Sequence, residues 1–486
     1  MEEIKNLEPK CLWKNFYLLT QVPRPSGHLE KIQAFLLNWA RERGIEAFKD
    51  GGGNIVMRKS ASTGMGNRKK VVLQAHMDMV PQKETHSNHN FETDPIDAYI
   101  DGEWVKAKGT TLGSDDGMGV ASIMSVFEDD NLTHGPLEAL ITADEETCMY
   151  GVNHLAPDTL TGSILLNLDD ETLGEFIVGS AGGTNISSDV AYKSAPLVEG
   201  HSAVRITITG LRGGHSGLEI NDNRANANKL MARLLQKAVC KFDLRLSSWQ
   251  GGNMRNSIPR TCEVIATVPT ASSDALHQMI ADAEQMFRQE YTGTKENIEL
   301  HVETAEMPAA LVPKEISDSL ISAIIACHDG VLRDIPSIPH ITETSSNLAI
   351  VNITPGKSEI TVLARSSSES MMDYVCSMIE RCFSLAGMKT TFSGRYGAWQ
   401  PNFNSQIATL AAQVYKEMFK GEEASVQVVH AGLECSLIGQ VYPQMDLVSF
   451  GPTLRSPHTP DERCHIPSVA KYWDFLKELL SRIPER

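Results

Sequence analysis

Five short segments of the 486-residue chain carry side chains able to hold metal ions or to move protons. The first is Gln74-Ala75-His76-Met77-Asp78-Met79-Val80, after an apolar run. In extended backbone His76 and Asp78 point the same way. An imidazole beside a carboxylate is the pairing in which the acid orients a metal-bound histidine. The second is Gly113-Ser114-Asp115-Asp116-Gly117, where one acid can cap a helix and one can bridge two cations. The third is Asp144-Glu145-Glu146-Thr147, in which one Glu can ligate a metal while the other serves as general base toward water. The fourth is Asn167-Leu168-Asp169-Asp170-Glu171, and the fifth runs Phe450 to Glu462 around His458. Each segment taken alone has an ordinary reading: a surface His, a helix cap, a solvated charge run, a loop His. Together they supply a His, a bridging-type Asp, a Glu, an Asp and a distant His, the donor set of a two-metal hydrolase. Two cations carry four positive charges, which allows several carboxylates to share one pocket.

The elements around these segments are suited to positioning them. Val71–Ala75, Leu137–Thr142 and Ser163–Leu168 are short, apolar and rich in β-branched or leucine residues, so they read as buried strands. Each ends just before one of the acidic segments, where side chains are held rigidly yet reach solvent. Residues 10–45 read as a helix, a Pro/Gly break at Val22–Gly27 and a second helix; Met118–Asp130 reads as a helix. Strands alternating with helices predict an α/β architecture. Around residues 179–184 the texture changes: GSAGGT reads as a hinge-like stretch. Beyond it lie a period-2 strand at 204–209, a helix at 226–239, a strand at 262–268 and helices at 272–291, 315–328 and 369–386. Strands near 348–353 and 359–364 complete an α+β pattern. After a second break at Gly394–Pro401 the α/β texture returns, with helices at 404–419 and 468–482 and a strand over Asp446–Phe450. The expected organisation is a mixed-sheet catalytic domain with helices on both faces, made of residues 1–182 and 397–486. An α+β lid domain is expected at 183–396, inserted between the two segments.

Composition narrows the function classes. Lys and Arg number 44 against 61 Asp and Glu, a net charge of −17, which argues against nucleic acid or an anionic membrane as partner. The acidity is uneven: residues 205–260 hold 10 basic and 3 acidic groups, while the proposed catalytic segments carry most of the negative charge. Nine cysteines, scattered and without Cys-x-x-Cys, point to reduced thiols and a cytoplasmic location. Neither a signal peptide nor a bilayer-spanning run is evident.

The motifs VPRPSGHLEKI, QAHMDMV, GTTLGSDDGMG, TADEETCMYG, LLNLDDE, GLRGGHSGLEI, HAGLEC and FGPTLRSPHTPDE occur in this order from end to end. Their combination resembles the aminoacyl-histidine (Xaa-His) dipeptidases, within the dizinc exopeptidases that include carnosinases and carboxypeptidase G. The resemblance implies two divalent ions per subunit, zinc foremost with cobalt or manganese as alternatives. It implies His76 and Asp169 on one ion, Glu146 and His458 on the other, and Asp115 bridging, with a cis peptide after Asp115. Glu145 would be the general base and Asp78 the residue that holds His76. His215 would stabilise the oxyanion, supplied in some relatives by the partner subunit of a homodimer. Arg365, Asn256 and Glu434 are the candidate contacts to a small peptide substrate, Arg365 because its fork pairs a terminal carboxylate. A deacylase or carboxypeptidase of the same fold, acting on N-acyl amino acids, is the alternative within hydrolases. A non-catalytic binding protein is the alternative outside them, disfavoured by the complete ligand set and Glu145.

Overall fold

The strands foreseen at the acidic segments lie side by side in one sheet. The computed structural model describes residues 2–338 and 340–486. Its eight-stranded sheet runs in the order Glu46–Lys49, Ile55–Lys59, Leu137–Thr142, Val71–His76, Ile164–Asn167, Asp446–Ser449, Glu175–Ser180, Ser425–Val429. Four central strands, Leu137–Thr142 through Asp446–Ser449, are mutually parallel, and the strands flanking them pair antiparallel. The sheet is therefore mixed, as expected.

Alternation along the central strands explains how both faces are covered. Val71, Leu73 and Ala75 join Ala139, Ile141, Leu166 and Val448 in a core with helices Lys10–Thr20, Glu30–Glu42, Ser114–Glu128, Gln406–Met418 and Ile466–Ser481. Gln74 and Thr142 point to the other face, where both side chains donate to Glu434 at the start of helix Cys435–Val441. Burying a large aliphatic side chain in such a core contributes about 1.5–3 kcal/mol, so strands apolar on both faces are stable only in this layered setting. A four-stranded sheet in the order Leu454–Arg455, Arg463–His465, Trp104–Ala107, Ala98–Asp101 anchors the loop that carries His458.

The chain divides into two compact units. One comprises residues 2–180, 399–428 and 433–486, and the other 181–398 and 429–432. The second is built on a nine-stranded sheet whose main path runs Glu299–Thr304, His201–Thr209, Cys262–Pro269, Arg245–Gly251, Thr342–Thr354, Lys357–Ser366, Gly182–Ala191, Lys389–Tyr396. Helices Ala227–Phe242, Ser273–Glu290, Lys314–Ala326 and Glu369–Leu385 share its core.

GSAGGT is folded into strands, and the boundary between the two units falls within it, after Ser180. Strand Glu175–Ser180 and strand Gly182–Ala191 leave only Ala181 between them, and every residue of 179–184 is buried. The glycines are there for clearance: a Cβ on Gly183 would sit 2.7–2.9 Å from the ring of Tyr396, and one on Gly179 would meet Pro401. Each of the eight cysteines whose side chains are described is a free thiol, and five of them are buried.

Candidate metal centre and active site

Parallel neighbours end on the same edge of a sheet, and that edge is where polar groups can converge. His76 is the last residue of its strand and pairs in register with Thr142, so the chain leaving Thr142 brings Asp144, Glu145 and Glu146 beside it. Asp169 follows strand Ile164–Asn167 on the other side. Asp115 enters at the start of helix Ser114–Glu128. There Gly113 adopts φ +71°, while Asp115 and Asp116 have non-helical backbone and the peptide between them is cis.

These side chains meet. His76 Nε2 lies 3.0 Å from Asp115 Oδ1 and 3.5 Å from Asp169 Oδ1. His458 Nε2 lies 3.0 Å from Asp115 Oδ2 and 2.9 Å from Glu146 Oε1. Donor atoms of His76, Asp115 and Asp169 fall within 4.8 Å of one another, and so do those of Asp115, Glu146 and His458. The two sets share only Asp115, which offers one oxygen to each histidine. A third set joins His76 to Glu145 and Glu146.

The adjacent acids divide their work. Asp116 accepts from Gly119 N at 3.0 Å, the capping role, while the Asp115 oxygens face the two histidines. Asp78 stands 3.5 Å from His76 Nδ1, which lies nearer, at 3.2 Å, to the Asp78 carbonyl. The Asp78 carboxylate also accepts from Ser26 Oγ at 2.7 Å and from the backbone N–H groups of Glu145 and Glu146 at 3.0 and 3.3 Å. It thus orients the Glu145–Glu146 turn as well as the imidazole.

Several carboxyls share this buried pocket, and burial works against their charge. Burial, with the crowd of like charges, pushes the Asp169 carboxyl up to about 6 and that of Glu146 to about 7. Glu145 is held well above the carboxylate range, by burial first and then by Glu146, Asp169 and Glu434. Burial opposes charge on His458, yet Asp115 and Glu146 outweigh it and drive the imidazole to about 11. In this crowd the buried carboxyls hold their protons more tightly than usual. Divalent cations would take the place of those protons, and a His/carboxylate donor set with one shared acid suits two of them.

The remaining sequence candidates lie elsewhere. His215 belongs to the second unit, where Nδ1 accepts from Gly217 N and Leu218 N at 3.2 and 3.0 Å. That fixes the tautomer with the proton on Nε2, so the ring presents a donor. Arg365, buried in the same unit, donates from Nη1 to Tyr396 Oη at 2.9 Å. Asn256 is exposed in a turn, where its carbonyl accepts from Ser216 N. Glu434 is fully buried in the first unit: Oε2 accepts from Gln74 Nε2 at 2.6 Å and Thr142 Oγ1 at 2.5 Å, while Oε1 has no hydrogen-bond partner. Burial raises its carboxyl to about 8.

Sequence reasoning missed three groups. Arg24 and Glu462 are almost completely buried beside the metal-site loops. His430 bonds Ser345 Oγ through Nε2 at 2.7 Å and is held down to about 3 by burial, then by Arg365 and His215. All three sit inside motifs already quoted, and a charged residue in a Pro/Gly-rich motif was the available signal.

Comparison with known proteins identifies the family. Residues 72–482 match the family described as Peptidase family M20/M25/M40. The chain is 42% identical over 489 residues to the cytosol non-specific dipeptidase of Escherichia coli K12, with all of both chains covered. Its fold superposes on the aminoacylhistidine dipeptidase of Vibrio alginolyticus with a TM-score of 0.87 and 39% identity, over 100% of this chain and 99% of that one. A tripeptidase of Staphylococcus aureus shares the fold at TM-score 0.57 and 15% identity, over 98% and 99% of the two chains.

Proposed function

Because the chain belongs to the peptidase family M20/M25/M40, we propose that the converged acids and histidines serve a metal-dependent dipeptidase that cleaves small dipeptides, Xaa-His among them. One observation carries the reading: two three-donor sets that share Asp115 and no other residue. His76 and Asp169 would hold one ion, Glu146 and His458 the other, with Asp115 between. Zinc suits the imidazole and carboxylate donors, and cobalt or manganese are the alternatives. Bound there, the ions supply Lewis acidity and a lowered pKa for water.

The chain's own residues do the rest. Glu145 receives the proton of the attacking water and passes it to the departing amine. Asp78 keeps the Glu145 backbone and the His76 ring in place. His215, with its proton on Nε2, serves as donor to the oxyanion. Arg365 pairs the substrate carboxylate, and Asn256 and Glu434 are assigned further substrate contacts. The second unit is assigned the role of lid, and a homodimer the working assembly, with the cytosol as its location. Among the described residues no helix is long and apolar enough to cross a membrane.

A substrate panel tests the reading. Xaa-His, β-Ala-His and other dipeptides are expected to be hydrolysed, and hydrolysis to stop with a chelator. Turnover of N-acetyl amino acids in preference to dipeptides would favour the deacylase alternative.

A further inference from the structure

Two buried charges take no part in this chemistry, yet they join the segments that carry it. Glu462 is 2% exposed and accepts five hydrogen bonds from the turn that delivers Asp115. Oε2 accepts from Leu112 N at 2.8 Å and Gly113 N at 3.0 Å. Oε1 accepts from Ser114 N and Ser114 Oγ, both at 2.7 Å, and from Asp115 N at 3.3 Å. A carboxylate is an acceptor only, so this cradle of donors suits the ionised form. The backbone N–H of Glu462 donates in turn to Thr459 O at 3.1 Å, one residue beyond His458, which has a φ of +59°. Arg24, equally buried, donates from Nη1 to the carbonyls of Met77 and Asp78 at 3.1 and 3.0 Å, and from Nη2 to that of Gly113. It lies on the same Gly113 turn from the opposite side. Gly113 and Gly117 leave it room: a Cβ on either would collide with its guanidinium.

We infer that Glu462, with Arg24, is a positioning clamp that sets the spacing of the two metal sites by locking the Asp115 turn to the His458 loop and to the His76–Asp78 segment. Neither residue is a ligand. The clamp rests on the ligand assignment of the preceding section. Its consequence is specific: loosening it displaces the shared ligand and His458 while the His76 and Asp169 strands stay in the sheet. Supporting groups behind metal ligands typically change affinity 10–100-fold when lost.

The test is titration of metal-free protein with Zn2+ in a competing chelator. Glu462→Gln keeps the side-chain shape but turns one acceptor into an NH2 facing N–H donors. It is expected to weaken at least one of the two zinc affinities 10-fold or more, and excess zinc is expected to restore a bound ion. Ser114→Ala removes one donor only and is expected to act in the same direction by a few-fold, which covers the case in which Glu462→Gln does not fold. Folded variants that melt earlier but keep both affinities within 3-fold of the parent overturn the clamp and leave it a packing feature. A parent chain that binds no zinc overturns the ligand assignment and the clamp together. A parent that binds two ions, with the variants unchanged, overturns the clamp alone.

Discussion

Glu145 and Glu146 are chemically identical neighbours, and position alone separates them. Glu146 stands 2.9 Å from His458 Nε2, while the Glu145 backbone is fixed by Asp78. Glu145→Gln should therefore lower kcat by roughly 10²–10⁴ and leave zinc content unchanged, as general-base loss does. Glu146→Gln should lower zinc content as well; steady-state rates beside metal analysis of the purified variants separate the two. His430 permits a test free of metal. Its folded pKa, about 3, lies below the ordinary histidine value of about 6.5, so the native state resists protonation. The stability it affects is intact above about pH 6.5 and falls as pH drops toward 3, because the unfolded chain then binds the proton first. Between pH 7 and 5 the loss reaches at most about 2 kcal/mol. Urea midpoints of the parent and His430→Gln should diverge at pH 7 and converge toward pH 5. The convergence of His76, Glu145, Glu146 and Asp169 was legible because each ends or follows an apolar strand. Glu462, Arg24 and His430 were not, since their meaning lies in hydrogen bonds to backbone far away in sequence: Glu462 reaches the turn at Asp115, 347 positions earlier.

Elements were legible in proportion to how far local pattern decided them. Val71–His76 and Leu137–Thr142 announce themselves by apolar, β-branched runs, and the structure gives them nearly the expected bounds. Strand Gly182–Ala191 was hidden, because Gly-rich sequence reads locally as flexible and only the approach of Tyr396 shows why a side chain is excluded. Gly183→Ala should consequently destabilise the protein by about 1–3 kcal/mol, the usual cost of overpacking. An unchanged urea midpoint would show that the strand has room for a side chain there. The start of helix Ser114–Glu128 was half legible. Two acids before a helix suggest a cap, and Asp116 takes that role; the place of Asp115 between His76 and His458 needed the other strands in place.

At the scale of the molecule, the negative charge collects in the segments that would hold cations, and burial makes that charge expensive without them. Asp169, Glu146, Asp170 and Glu171 are pushed to about 6, 7, 7 and 8. Metal-free protein should accordingly be less stable than the zinc-loaded form, with a melting temperature that rises with zinc concentration as mass action requires. The most direct test of the central claim combines that loading with catalysis. Metal-free protein is titrated with Zn2+ while hydrolysis of an Xaa-His dipeptide is followed. The two-site account predicts no hydrolysis at zero zinc and a plateau at two equivalents per chain. Undiminished hydrolysis in rigorously metal-free protein, or a plateau at one equivalent, would contradict it.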